Sequence, residues 1–205
     1  MGARKTRVAV LVSGGGTNLQ ALIDAAAAGK LPHAELALVV SNKEGAYALE
    51  RAARAGIKGV TLLKKELGSA EAFEQALMCT LEENGIELVV LAGFLAILSE
   101  RFTAAYPRRI INVHPSLIPS FCGKGYYGLR VHEAALSYGV KVTGATVHFV
   151  NEIPDGGEII LQKAVAIEEG DTPEVLQRRV MEQAEWLLLP AAVEKVSLDL
   201  CEKGE

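Results

Sequence analysis

Through the first half of the chain, short apolar runs rich in β-branched residues alternate with segments whose apolar positions recur at helical spacing. Thr6 to Val12 (TRVAVLV) predicts a buried strand, Ser13-Gly14-Gly15-Gly16-Thr17-Asn18 a glycine-rich turn, and Leu19 to Ala28 a helix ending near Gly29. Glu35 to Ser41 predicts a second strand and Glu44 to Ala55 a helix closed by Gly56. Gly59 to Leu62 predicts a short third strand, and Ala70 to Glu83 a helix capped by Ser69. Ile86 to Ala92 (IELVVLA) is the most apolar strand. Strand–helix alternation at this spacing implies right-handed βαβ crossovers and a parallel sheet.

The pattern changes after that. Arg109 to Val113 predicts a strand, Pro115 to Gly128 a loop rich in glycine and proline, and Leu129 to Tyr138 a helix. Thr143 to Val150 and Glu158 to Val165 read as a strand pair joined through Pro154-Asp155-Gly156-Gly157. Thr172, an N-cap residue, precedes Pro173 at the first helical position and starts a long final helix, with Pro190 as the point where it would break. The tail, Cys201 to Glu205, is expected to fray.

The 205 residues suit one α/β domain, and half of them are hydrophobic. No apolar run approaches about 18 residues, so no membrane span is expected. The start, Met1 to Thr6, is basic, but the segment behind it is too short for the apolar region of a secretory signal and leads straight into a strand, and Met1-Gly2 matches a myristoylation start only weakly. A net charge of −4 argues against a general nucleic-acid binder but leaves room for a small anion at one site. Cys79, Cys122 and Cys201 form no Cys-x-x-Cys, which fits a reducing cytoplasm and gives no metal site. The histidines form no pair at helical spacing, so no metal is expected there either.

Three places could carry chemistry. The first is Ser13–Asn18, where free backbone N–H groups at a helix start favour an anion. It lacks the lysine of a P-loop, and Leu19 stands where a dinucleotide-binding turn would have its last glycine, so a plain tight turn is nearly as good a reading. The second is Ile110 to Leu117. Strand alternation puts Asn112 and His114 on one face at a sheet's carboxyl edge, where open α/β sheets bind ligands. An amide and an imidazole side by side can hold a carbonyl that is becoming an oxyanion. The third is Asp155, which alone reads as a turn residue but near a histidine would stabilise imidazolium. His148 divides evenly between core and site. His132 reads as part of a solvated helix face, His33 as a loop residue, Trp186 as core, and Tyr126-Tyr127 as a cover over a pocket.

Taken in order, Ser-Gly-x-Gly-Thr-Asn-Leu-Gln (13–20), Val-Leu-Ala-Gly-Phe (90–94), Asn-x-His-Pro-Ser-Leu-x-Pro (112–119), and Gly-Ala-Thr-Val-His-Phe-Val (144–150) with Asp-Gly-Gly (155–157) resemble the folate-dependent phosphoribosylglycinamide formyltransferases. The match runs over nearly the whole chain. It implies a Rossmann-like formyltransferase fold: a single α/β domain with a mostly parallel seven-stranded sheet flanked by helices. Residues 1–113 would form the phosphate-binding half and 114–200 the folate and catalytic half. The implied reaction transfers the formyl group of 10-formyltetrahydrofolate to the amine of glycinamide ribonucleotide in purine biosynthesis. It would need no metal, nucleic acid or membrane, and would run in the cytoplasm on a monomer or homodimer.

The resemblance assigns Gly16, Thr17, Asn18 and Glu185 to the ribonucleotide. It assigns Leu95, Ala96, Ile97, Leu98, Asn151, Glu152, Ile153 and Pro154 to the folate, and Asn112, His114 and Asp155 to catalysis. Protonated His114 and Asn112 would hold the oxyanion, and Asp155 would support the imidazolium. Ala70 stands where relatives often carry a folate-holding arginine, which leaves Lys64 or Lys65 as substitutes, or a weak hold on the folate tail. Trp186 replaces a common histidine, and the loop from Phe121 to Gly128 is long. The rivals are a formyltetrahydrofolate hydrolase, a tRNA formyltransferase and a non-catalytic nucleotide- or folate-binding module.

Overall fold

The structure, a computed structural model, describes residues 4–203; the Met1-Gly2 start and the last two residues lie outside them. In chain order the elements are β1 (Thr6–Val12), α1 (Thr17–Ala27), β2 (Ala34–Ser41), α2 (Tyr47–Arg54), β3 (Lys58–Thr61), α3 (Lys64–Leu67), α4 (Ala70–Glu83) and β4 (Leu88–Leu91). They continue with α5 (Glu100–Ala105), β5 (Ile110–His114), α6 (Leu129–Tyr138), β6 (Val142–Phe149), β7 (Ile159–Ala166), α7 (Pro173–Val180), a π-helical turn (Met181–Glu185) and α8 (Trp186–Lys203).

The seven strands form one sheet in the order β3-β2-β1-β4-β5-β6-β7. The pairs from β3 through β5 are parallel, and β5–β6 and β6–β7 are antiparallel. This is the mostly parallel seven-stranded sheet flanked by helices that the sequence predicts. The chain runs outward from β1 to β3 and then returns to place β4 on the other side of β1. That reversal makes the carboxyl ends of β1 and β4 a topological switch point, where such sheets open a crevice.

Both faces of the sheet are covered, which explains why its central strands are continuously apolar. Val8, Val10 and Val12 of β1 pack with Leu19 and Leu22 of α1 and Leu189 and Val193 of α8. Ala9 and Leu11 point the other way, to Phe73, Leu77 and Leu81 of α4 and Phe102 of α5. The N-caps at Ser69 and Thr172 form as expected, each side-chain oxygen accepting a backbone N–H three residues on.

Three details differ from the sequence reading. The short helices α3 and α5 carry too few residues to show a period. The final helix does not break at Pro190; it widens instead at Met181–Glu185, five to nine residues earlier. A proline removes the N–H that would bond the carbonyl four residues back, here Trp186, yet α8 runs through it from Trp186 to Lys203. The expected fraying also fails at Cys201–Lys203, which are helical. Cys201 Sγ lies 3.4 Å from Thr6 Oγ1, so the last turn is docked on β1. No described helix is long and apolar enough to cross a membrane.

Candidate functional site

The turn after β1 sits at the switch point. Its last residue, Gly16, is the N-cap of α1 with φ 70°, and no side chain caps the helix. The first-turn N–H groups are therefore left open, as an anion site requires. The left-handed φ favours glycine, and so does space: a Cβ on Gly16 would stand 2.6 Å from Ala48 Cβ. Ser13 Oγ accepts the Leu95 N–H at 2.9 Å and ties this turn to the segment after β4. Asn18 Nδ2 donates to Glu185 Oε2 at 2.8 Å. The fold thus joins two ribonucleotide candidates that are 167 positions apart. The widened turn presents Glu185, and burial pushes its carboxyl up to about 6 against the opposing Asn18 hydrogen bond.

The second cluster lies at the carboxyl end of β5. Antiparallel register sets His148 opposite Asn112 and Thr146 opposite His114. Asn112 Nδ2 lies 3.1 Å from His148 Nε2, and His148 Nδ1 lies 2.8 Å from the Phe149 carbonyl. A carbonyl can only accept, so His148 carries its proton on Nδ1, and its Nε2 is free to accept the Asn112 amide. His148 is both buried and part of the site, which resolves its divided reading. Asp155, in a left-handed turn at φ 56°, brings its carboxylate between the two rings. Oδ2 lies 3.6 Å from His114 Nδ1, and Oδ1 lies 3.6 Å from His148 Nε2. Asn112, His114 and Asp155 therefore converge, with His148 as a fourth member.

The loop after β5 closes this cluster. His114 Nε2 donates to the Phe121 carbonyl at 2.9 Å, and the Gly123 N–H donates to Asp155 Oδ2 at 2.8 Å. Phe121 has φ 49° and packs edge-on against Tyr126 and Tyr138. The resting chain thus supplies a carbonyl and an N–H of its own to the two groups.

Burial lowers the His114 pKa, and the nearby Asp155 charge and Phe121 carbonyl only partly offset it. Near neutral pH the resting imidazole is therefore neutral, with its proton on Nε2 toward the Phe121 carbonyl. For Asp155, burial acts to raise the pKa, but the His148 and His114 rings beside the carboxylate and the Gly123 N–H hold it below the ordinary value.

His132 is a correction. It is 0% exposed, and neither ring nitrogen has a hydrogen-bond partner among the described residues. Its own helix carries the missed signal: Ala135 and Leu136, three and four positions on, mark an apolar stripe that includes position 132. Burial, with a smaller push from His114, takes its pKa from 6.5 to about 4. Between those values the unfolded chain binds more protons, so this residue makes unfolding free energy rise with pH by up to about 3 kcal/mol. Glu185 runs the other way, because its raised pKa lets the folded chain hold the extra proton. Denaturant unfolding of wild type and His132→Gln isolates the histidine. The wild type gains stability relative to the variant from pH 4 to pH 6.5, and a flat difference contradicts this.

The folate candidates flank the same edge of the sheet. Leu95, Ile97 and Ile153 are exposed, Ile97 at 81%. Asn151 Oδ1 accepts the Ile153 N–H at 3.0 Å, which shapes the turn ahead of Pro154 and Asp155. Ala96 is half-buried and Glu152 exposed. Leu98 differs from the rest: it is 7% exposed and belongs to the core with Phe102, so it backs the segment instead of lining it. Lys65 pairs with Glu44 at 3.4 Å on the surface. Trp186 is half-buried, and it lines a cavity of about 820 Å³ between α1 and α8 that includes neither His114 nor Asp155. Among the described residues no group of three or more His, Cys, Asp or Glu is placed to hold a metal ion.

An open helix start suited to an anion and a polar pair on one carboxyl edge place the chain among Rossmann-like α/β proteins with a candidate group-transfer site. The chain belongs to the formyl transferase family, whose model matches residues 6–193. It is 41% identical over 187 residues to the phosphoribosylglycinamide formyltransferase of Haemophilus influenzae, covering 91% of this chain and 85% of that protein. It is 47% identical over 203 residues to the chicken (Gallus gallus) trifunctional purine biosynthetic protein adenosine-3, covering 98% of this chain but only 19% of that much longer protein. Among solved structures, glycinamide ribonucleotide transformylase 1 of Symbiobacterium toebii superposes with a TM-score of 0.89 at 42% identity, over 95% of this chain and 89% of the other.

Proposed function

We propose that the chain transfers the formyl group of 10-formyltetrahydrofolate to the amine of glycinamide ribonucleotide. The observation that carries this reading is the meeting of Asn112, His114 and Asp155 on the sheet edge that also holds the Ser13–Asn18 turn, in a chain of this family. The ribonucleotide phosphate rests on the N–H groups of Gly16, Thr17 and Asn18, and Glu185 takes the sugar. The apolar pterin lies against Leu95, Ile97 and Ile153, with the Asn151–Pro154 turn beside it.

The amine attacks the formyl carbon, and charge develops on the formyl oxygen. The His114 Nε2–H and the Asn112 amide donate to that oxygen, which replaces the Phe121 carbonyl as the partner of Nε2. The Asp155 carboxylate beside Nδ1 favours a second proton on the ring as the charge grows. It also moves protons through water, from the attacking amine to the folate nitrogen that leaves when the tetrahedral intermediate collapses. No covalent enzyme intermediate is required.

The test is to follow deformylation of a 10-formylfolate with and without glycinamide ribonucleotide. Turnover that requires the ribonucleotide is the expected result. Turnover without it means hydrolysis, and no turnover in either mixture means a binding module.

A further inference from the structure

Helix α2 carries none of the residues assigned above, yet it grips the glycine-rich turn at three consecutive positions. The Ala48 N–H donates to the Gly14 carbonyl at 3.1 Å. Arg51 Nε donates to the Gly15 carbonyl at 2.8 Å. Gly16 lies so close to Ala48 that no side chain fits between them. Arg51 Nη1 also donates to Gln20 Oε1 at 2.8 Å, so one guanidinium spans the turn and the first turn of α1. Its planar fork is seated on the Tyr47 ring, 4.9 Å from the centroid.

The geometry of the peptide bond gives these contacts a consequence. In a trans peptide the carbonyl and the N–H that follows it point in opposite directions. Carbonyls of Gly14 and Gly15 turned toward α2 therefore aim the N–H groups of Gly15 and Gly16 away from it. Neither N–H has a hydrogen-bond partner among the described residues. Three successive glycines do not hold such an orientation by themselves, because glycine takes either sign of φ almost freely.

We propose that Arg51 is a positioning residue for the phosphate of the ribonucleotide. It locks the Gly15–Gly16 peptide so that the Gly16 N–H joins those of Thr17 and Asn18 on one anion. It also places a permanent positive charge beside a turn that has no lysine of its own. Arg51 acts on substrate affinity through the turn and plays no part in the formyl chemistry at His114. The inference rests on the ribonucleotide reading above.

The test compares wild type, Arg51→Lys and Arg51→Met on glycinamide ribonucleotide and on its phosphate-free riboside. For Arg51→Met the KM for the ribonucleotide rises about tenfold, as for loss of a charge-assisted hydrogen bond, and kcat falls by less than KM rises. Arg51→Lys lies between, since an ammonium reaches Gly15 but cannot also span to Gln20. The riboside's kcat/KM moves by less than ~twofold. Equal losses on the two substrates reduce Arg51 to a structural role and overturn the proposal, as does an unchanged KM for the ribonucleotide. Calorimetric titration with the ribonucleotide keeps the two readings apart. If wild type binds it but transfers no formyl group, the proposed reaction falls, and the ratio of Kd values still decides on Arg51. If wild type does not bind it, both fall.

Discussion

His114→Ala lowers kcat for formyl transfer by about 10²–10³-fold, the usual loss when one preorganised oxyanion donor is removed. The side chain makes one hydrogen bond in the resting chain, to the Phe121 carbonyl, and faces one carboxylate, Asp155. Neither contact ties distant parts of the sheet together, so the loss falls on the reaction. Calorimetric Kd values for the ribonucleotide and for a non-formylated folate should move far less than kcat. Asn112→Ala produces a loss of the same order, because its amide is the second donor in the proposed mechanism. Its neighbour His148 then loses the N–H that its Nε2 accepts. Near-full activity in either variant, with folding intact, removes that residue from the mechanism.

Gly157→Ala has the largest expected effect on stability and reaches the site through the backbone. A Cβ at position 157 would lie 1.7 Å from the Phe149 carbonyl oxygen and 2.7 Å from its carbon. Both are backbone atoms and cannot rotate away. The Phe149 N–H meanwhile donates to the Glu158 carbonyl at 2.9 Å, so the two sides of the 150–157 turn are pinched together at its base. Opening that base moves the turn that carries Asp155. Denaturant unfolding should show a loss of about 2–4 kcal/mol, in the range of overpacking with a broken backbone contact. Formyl transfer should fall as well, because Asp155 leaves the rings of His114 and His148. A variant with wild-type stability and rate would mean that the close approach at Gly157 does not position the carboxylate.

Most of the sheet is legible in the sequence because its strands are buried on both faces and read as unbroken apolar runs. Asn112 and His114 stand out for the same reason: two polar residues at alternate positions interrupt such a run and must share a face. The other parts of the site depend on atoms that leave no pattern. The carbonyls of Phe121 and Gly15 belong to every residue type, so neither the partner of His114 Nε2 nor the role of Arg51 can be read from side-chain identities. Asp155 needs the chain to fold back over the strand pair, and alone it looks like any hairpin aspartate. The widened turn at Met181–Glu185 is invisible to a helical period, and the helix continues through Pro190, where a break is expected. At His132 the sequence carries two opposed signals: the charged neighbours Arg130 and Glu133 suggest solvent, the apolar stripe with Ala135 and Leu136 points inward, and the fold follows the stripe.

The central claim is that Asn112 and His114 act together on a single oxygen of the bound formyl group. A double-mutant cycle in single-turnover formyl transfer tests this most directly, using wild type, Asn112→Ala, His114→Ala and the double variant. Two donors to one oxyanion predict strong non-additivity, with the double variant hardly slower than the slower single variant. Losses that multiply fully would place the two side chains on independent tasks and contradict the account.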